Sequence, residues 1–129
     1  MKIYHFCAKR DLKNILRNGL TKGVVTLQTD TGFEMFTGYI WLTLDGRAKR
    51  QSWNTHELIK YDRCARRLTL DIPDFIAKER LLDRNQLEAI FPGVGFLFDG
   101  WKGSENWRVF KGSIPPEWII EAIETDRDY

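Results

Sequence analysis

The stretch Arg66-Arg67-Leu68-Thr69-Leu70-Asp71-Ile72-Pro73 constrains the chain more than any other. Its apolar and polar residues alternate with period two, the spacing at which side chains of an extended backbone leave opposite faces. Leu68, Leu70 and Ile72 therefore share one buried face. Pro73 ends the run because it has no N–H to give a ladder. A half-buried strand requires a sheet to sit in and an apolar layer against one side. Residues 3–6, 24–27, 38–44 and 107–111 are short β-branched or aromatic runs and read as further strands. Residues 118–124, beyond the stop at Pro115-Pro116, read as a last strand.

Helical spacing appears in two places. Leu12, Ile15, Leu16 and Leu20 recur on one face, and Gly19 stands where a C-terminal cap belongs, which predicts a helix over residues 9–18. Phe75, Ile76, Leu81, Leu82, Leu87, Ile90 and Phe91 repeat the pattern over residues 74–91. Asp83-Arg84-Asn85 interrupts it, so two short helices are expected. Residues 47–54 are polar and read as a short exposed helix, and residues 28–37, with Asp30, Thr31 and Gly32, read as a loop. The apolar run 94–98 has no assignable state. Helices inserted between strands without a regular βαβ alternation predict an α+β fold on a mixed, mostly antiparallel sheet.

A chain of 129 residues reads as a single domain, 1–129, able to bury roughly two-thirds of its unfolded surface. With 43% hydrophobic and 29% charged residues it is not a disordered tail. The net charge of +2 is too small for a whole-protein nucleic-acid footprint. The charge is uneven, however. Residues 47–67 hold seven bases against two acids, and residues 112–129 hold one base against five acids. Two cysteines, Cys7 and Cys64, make no scaffold and no Cys-x-x-Cys pair. The first residues lack the apolar core of a signal peptide, and no apolar run approaches the ~20 residues of a membrane span. The expected setting is cytoplasmic, with free thiols and no membrane. Glycine-rich phosphate loops are absent, and the two histidines, His5 and His56, have no metal-ligand spacing, so no metal is expected.

His5 lies inside the apolar run Ile3-Tyr4-His5-Phe6 and, by itself, reads as a hydrogen-bonded core histidine. Its neighbours add to this. Ile15-Leu16-Arg17-Asn18-Gly19-Leu20 follows, then Gly38-Tyr39-Ile40-Trp41-Leu42-Thr43, and Glu105-Asn106-Trp107-Arg108-Val109-Phe110 stands near the end. This order resembles the ADP-ribosyltransferase superfamily, in its diphtheria-toxin and poly(ADP-ribose) polymerase branch. That branch has a His on the first strand, an aromatic on a later Gly-rich strand and a Glu near the carboxyl end. Trp41-Leu42-Thr43 and the stretch from Gly112 through Pro115-Pro116-Glu117-Trp118 to Ile119 look like small bacterial and phage members of that fold.

The resemblance implies a split sheet with short inserted helices and NAD as the substrate cofactor. Cleaving the nicotinamide–ribose bond builds positive charge on the ribose. A flat aromatic pocket would hold the ring, and a carboxylate would stabilise the charge. By resemblance His5 holds the ribose and is catalytic together with Glu105. His5, Phe6, Tyr39, Trp41, Thr43, Ser52 and Asn106 make up the cofactor-binding set, with Trp41 as the stacking platform. Arg47, Arg50, Arg63, Arg66 and Arg67 are the candidate contacts for phosphate or a partner, because guanidinium forks match phosphate oxygens.

The chain also departs from the pattern. Phe6 stands where the family has Gly after the first-strand His, and Trp41 stands for the usual Tyr. Aligning Trp107-Arg108-Val109-Phe110 with the final strand puts Asn106, not Glu105, at the Glu position. A one-residue slip reverses the face of a strand, so Glu105 and Asn106 both stand as candidates. Two functions follow. One is a mono-ADP-ribosyltransferase that modifies a protein or nucleic acid, as a phage or mobile-element anti-defence factor or toxin. The other is an inactive protein of the same fold, an inhibitor that occupies a nucleic-acid-handling host-defence complex through its basic surface.

Overall fold

The alternation of apolar residues decides which side of each strand is dry. In a computed structural model, which describes residues 1–47, 65–99 and 101–125, the strands are β1 (Lys2–Cys7), β2 (Val24–Thr29), β3 (Gly32–Thr37), β4 (Tyr39–Thr43), β5 (Arg66–Asp71), β6 (Leu81–Leu82), β7 (Trp107–Lys111) and β8 (Ile119–Glu124). The α-helices are α1 (Leu12–Asn18), α2 (Asp74–Arg80) and α3 (Arg84–Ile90). Six strands form one sheet in the order β6-β7-β4-β1-β5-β8, and β2 and β3 form a separate hairpin. Every ladder among the described residues is antiparallel. The fold is thus α+β, an antiparallel sheet with a few short helices.

Each face of the sheet carries its own apolar layer. Ile3 and Cys7 of β1, Ile40 and Leu42 of β4, Leu68 and Leu70 of β5, and Phe110 of β7 pack with Ile15 of α1 and Ala77 of α2. On the other face Leu82 and Val109 pack with Leu87 of α3, Phe91, Val94 and Phe98, and Tyr39, Trp41 and Trp107 lie against them. Leu68, Leu70 and Ile72 are fully buried. Burying each one contributes about 1.5–3 kcal/mol. Asp83 explains the break between α2 and α3. Its carboxylate accepts from Gln86 N at 2.8 Å while Gln86 Oε1 accepts from Asp83 N at 2.9 Å, a capping box that starts α3.

The loop expected over residues 28–37 is instead the turn and second strand of a hairpin. Thr29 pairs with Gly32, leaving Asp30 and Thr31 as a two-residue turn. Phe33 and Met35 point to solvent, so β3 shows no buried apolar face from which its alternation could be read. Residues 94–97, unassigned from sequence, make a short 3-10 turn with Val94 buried. The helix expected over 47–54 lies outside the described residues beyond Arg47.

The joint that positions the site is between β1 and β4. β1 pairs with β5 along its whole length, from Lys2–Asp71 to Cys7–Arg66. Against β4 it forms the single pair Tyr4–Thr43. The sheet is therefore closed on one side of β1 and nearly open on the other.

A candidate functional site on either face of the first strand

Where the β1–β4 ladder stops, a side chain replaces it. His5 Nδ1 lies 2.9 Å from the backbone carbonyl oxygen of Trp41. A carbonyl can only accept, so Nδ1 carries the hydrogen and donates it. In the neutral ring Nε2 is then a bare lone pair. Burial pushes the His5 pKa below its ordinary value of 6.5, against the smaller opposite pull of the Trp41 carbonyl. The imidazole is consequently neutral at pH 7, in one tautomer, with Nε2 as a hydrogen-bond acceptor.

His5 lines a cavity of about 290 Å³. Phe6 and Cys7 of β1, Asp11 and Asn14 at the start of α1, and Thr21 and Lys22 beyond it share the wall. The chain closes this cavity through Gly19, whose φ of 80° ends α1. A Cβ at Gly19 would fall 2.1 Å from the Ile114 carbonyl oxygen, so only glycine allows the approach that leads into the Leu20–Ile114 bridge. Cys7 is not a nucleophile here. Burial, aided by Asp11, pushes its thiol up to about 11, so it stays protonated.

A second cavity, of about 350 Å³, opens at Tyr4. Leu44, Asp45, Gly46 and Arg47 after β4, Arg67 of β5 and Asn106 ahead of β7 complete it. Tyr4 lines this cavity and His5 the first, and their side chains leave opposite faces of β1.

The residues expected to form one site are thereby distributed. His5 and Phe6 share the first cavity, and Arg47, Arg67 and Asn106 share the second. Tyr39 and Trp41 belong to the second apolar layer. The Tyr39 ring meets Phe91 edge-on at 5.2 Å. The Trp41 ring lies 5.5 Å from Phe98 and 6.0 Å from Trp107, and its indole N–H donates to the Val24 carbonyl at 3.0 Å. Trp41 contributes its carbonyl, rather than its ring, to the His5 site. Thr43 is buried, and its hydroxyl accepts from Asp45 N at 3.1 Å. Glu105 is exposed in the turn before β7 and lines neither cavity, while its backbone carbonyl accepts from Arg108. Arg50, Ser52 and Arg63 lie outside the described residues.

The two charge blocks meet across the β5–β8 ladder. Arg67 Nη2 donates to Glu121 Oε1 at 3.0 Å, and Arg66 lies 3.9 Å from Glu124. The Arg67 hydrogen bond, with a second from Thr69, holds the Glu121 carboxyl below its usual range. Arg47 is paired with Asp45 at 3.0 Å. These three arginines of the basic middle are thus matched by carboxylates of the chain itself. Tyr4, Asp11, Asn14 and Asp45 were not singled out from sequence. The available signal for Tyr4 was its place beside His5 on an alternating strand, while Asp11, Asn14 and Asp45 gave none, since polar residues at helix starts and turns are ordinary.

Among the described residues no group of three or more His, Cys, Asp or Glu is arranged to hold a metal, and no helix is long and apolar enough to cross a membrane. The chain matches no family model, no curated protein and no solved structure.

Proposed function

We propose that the chain is a ligand-binding protein on an ADP-ribosyltransferase-like split sheet, taking a ribose-bearing nucleotide of the NAD type at His5 without cleaving it. The observation that carries this reading is the His5–Trp41 hydrogen bond at the mouth of the split. It leaves Nε2 of a neutral imidazole as an acceptor beside the cavity, matched to a ribose hydroxyl. The absence of cleavage follows from the carboxylates. Glu105 is exposed and lines neither cavity, and Asn106 belongs to the cavity of Tyr4. An amide orients a hydroxyl but carries no charge to set against a developing cation. In this reading the protein acts by occupancy, as an inhibitor of a host-defence or nucleic-acid-handling complex would.

Asp11 favours the transferase as a second reading, because it brings one carboxylate into the cavity of His5. Titrating NAD into the protein while assaying free nicotinamide and label transfer to lysate separates the two. Saturable binding that His5→Asn abolishes, with no nicotinamide released, is the expected result. Failure to bind NAD overturns the nucleotide reading altogether. Release of nicotinamide overturns the binding-only reading, and its loss in Asp11→Asn would assign the carboxylate.

A further inference from the structure

The strand edges of this fold are not alike. An edge strand shows a row of unpaired N–H and C=O groups, and proteins blunt such rows by shortness, charge, proline or a bulge. In the large sheet, edge strand β6 is two residues long. Edge strand β8 carries Glu121 and Glu124, and its register shifts opposite Thr69–Leu70. In the hairpin, the outer edge of β2 meets Trp41, whose indole N–H takes the Val24 carbonyl. β3 has none of these covers. It runs for six residues, Gly32-Phe33-Glu34-Met35-Phe36-Thr37, with no proline, no lysine and no register shift against β2.

The ladder fixes which groups of β3 are open. Thr29 and Gly32 flank a two-residue turn, so they form a hydrogen-bonded pair. The alternation of an antiparallel ladder then turns Gly32, Glu34 and Phe36 toward β2. Gly38 N, donating to the Gly23 carbonyl at 3.1 Å, continues the same parity. The N–H and C=O groups of Phe33, Met35 and Thr37 therefore point away from β2, and among the described residues no strand meets them. The side chains of Phe33 and Met35 are 71% and 69% exposed, on the face opposite Phe36, whose ring packs on Phe91.

A second copy of this edge is the partner that fits. Two antiparallel strands related by a two-fold axis keep their faces aligned when the axis passes through a residue. An axis at Glu34 would set Glu34 against Glu34, and like charges directly opposite are unfavourable. An axis at Met35 sets Met35 against Met35, Phe33 against Thr37 and Glu34 against Phe36. All three open residues then enter hydrogen-bonded pairs, and no charge meets its like. Phe33 and Met35 of both copies form one apolar row across the axis, with thioether–ring contacts. One strand a side is less than the ~20–30 residues a side of a standard interface, which makes this a weak, concentration-dependent dimer.

We infer that β3 pairs with β3 of a second copy, antiparallel and centred on Met35, so that two hairpins make one four-stranded sheet. Sedimentation equilibrium between about 10 µM and about 1 mM should show a monomer–dimer equilibrium. Met35→Lys sets like charges on the axis and should weaken association by about tenfold or more, with the circular dichroism of the fold retained. A second measurement reads the register. In a Cys64→Ser background, Met35→Cys should cross-link under mild oxidation, because the Cα atoms of a hydrogen-bonded pair stand ~5.5 Å apart, within disulfide reach. Phe33→Cys should not, since Phe33 faces Thr37 and its own copy stands further along the strand. A monomer throughout, assembly beyond a dimer, a dimer unmoved by Met35→Lys, or a Met35→Cys chain that does not cross-link would each overturn the inference.

Discussion

Replacing His5 tests the split directly. His5→Phe keeps the ring volume but removes the donor to Trp41, leaving a carbonyl unmatched at the edge of β4. Such a loss costs about 1–3 kcal/mol. For a chain of this size each kcal/mol moves Tm by about 3–5 °C, so a fall of roughly 3–15 °C is expected. His5→Asn places an amide N–H near the position of Nδ1 and should recover most of that loss while still lacking Nε2. The pH dependence gives a sharper measurement. The folded-state pKa of His5 lies below 6.5, so below that pH the unfolded chain takes up a proton that the folded chain refuses. Stability from this group is present above pH 6.5 and falls as the solution is acidified, by up to about 1.4 kcal/mol per pH unit. Urea melts of wild type and His5→Asn between pH 5 and 7.5 isolate the contribution, since His56 is common to both. The wild type should lose stability on the acid side more steeply than the variant. Equal slopes would refute a buried neutral imidazole, and an unaltered Tm in His5→Phe would refute the part assigned to its hydrogen bond.

Other consequences are open to measurement. Leu70→Ala removes a fully buried side chain from the first apolar layer and should cost about 2–5 kcal/mol in denaturant melts. Asp83→Ala breaks the capping box of α3 and should cost about 1 kcal/mol, seen as a Tm lower by roughly 3–5 °C. Glu88 accepts from Gly93 N at 2.7 Å and Gly95 N at 2.8 Å, which hold its carboxyl below the ordinary value of 4.5. Its contribution is present above pH 4.5 and lost below it, so Glu88→Gln should reduce the acid sensitivity of melts in that window, separate from the window of His5. In a Cys64→Ser background, Cys7 should resist alkylation at pH 8 until the protein is unfolded, since it is buried with a thiol pKa of about 11.

Much of the secondary structure is written locally. The period-two run at Leu68, Leu70 and Ile72 became β5 with those residues buried, and Gly19 became the left-handed end of α1. The expected break at Asp83 became a cap. Hairpin β2–β3 was hidden because Phe33 and Met35 lie outside both apolar layers, and alternation without burial looks like a loop. For the site, the candidates His5, Phe6, Arg47, Arg67 and Asn106 line one of the two cavities, whereas Tyr39, Trp41, Thr43, Arg66 and Glu105 line neither. The sequence did not sort them in this way, because that depends on which face each residue of β1 presents and where the ladder to β4 stops.

The sequence by itself determined the elements that bury one face, such as β5 and α1, since backbone geometry imposes its own periods of two and 3.6 on the apolar pattern, whereas β3 and the two-residue β6 at Leu81–Leu82, expected as loop and helix, did not follow from it. It determined that His5 sits mid-strand and that the chain has a basic middle and an acidic end. Only the tertiary structure decided that these charge blocks meet, Arg67 with Glu121 and Arg66 with Glu124, on neighbouring strands. Only it decided that Trp41 offers His5 a carbonyl while its ring joins an apolar layer. Both depend on register between strands far apart in the chain. Such a register is set by the whole set of packed side chains, because a slip of one residue would turn every one of them to the opposite face.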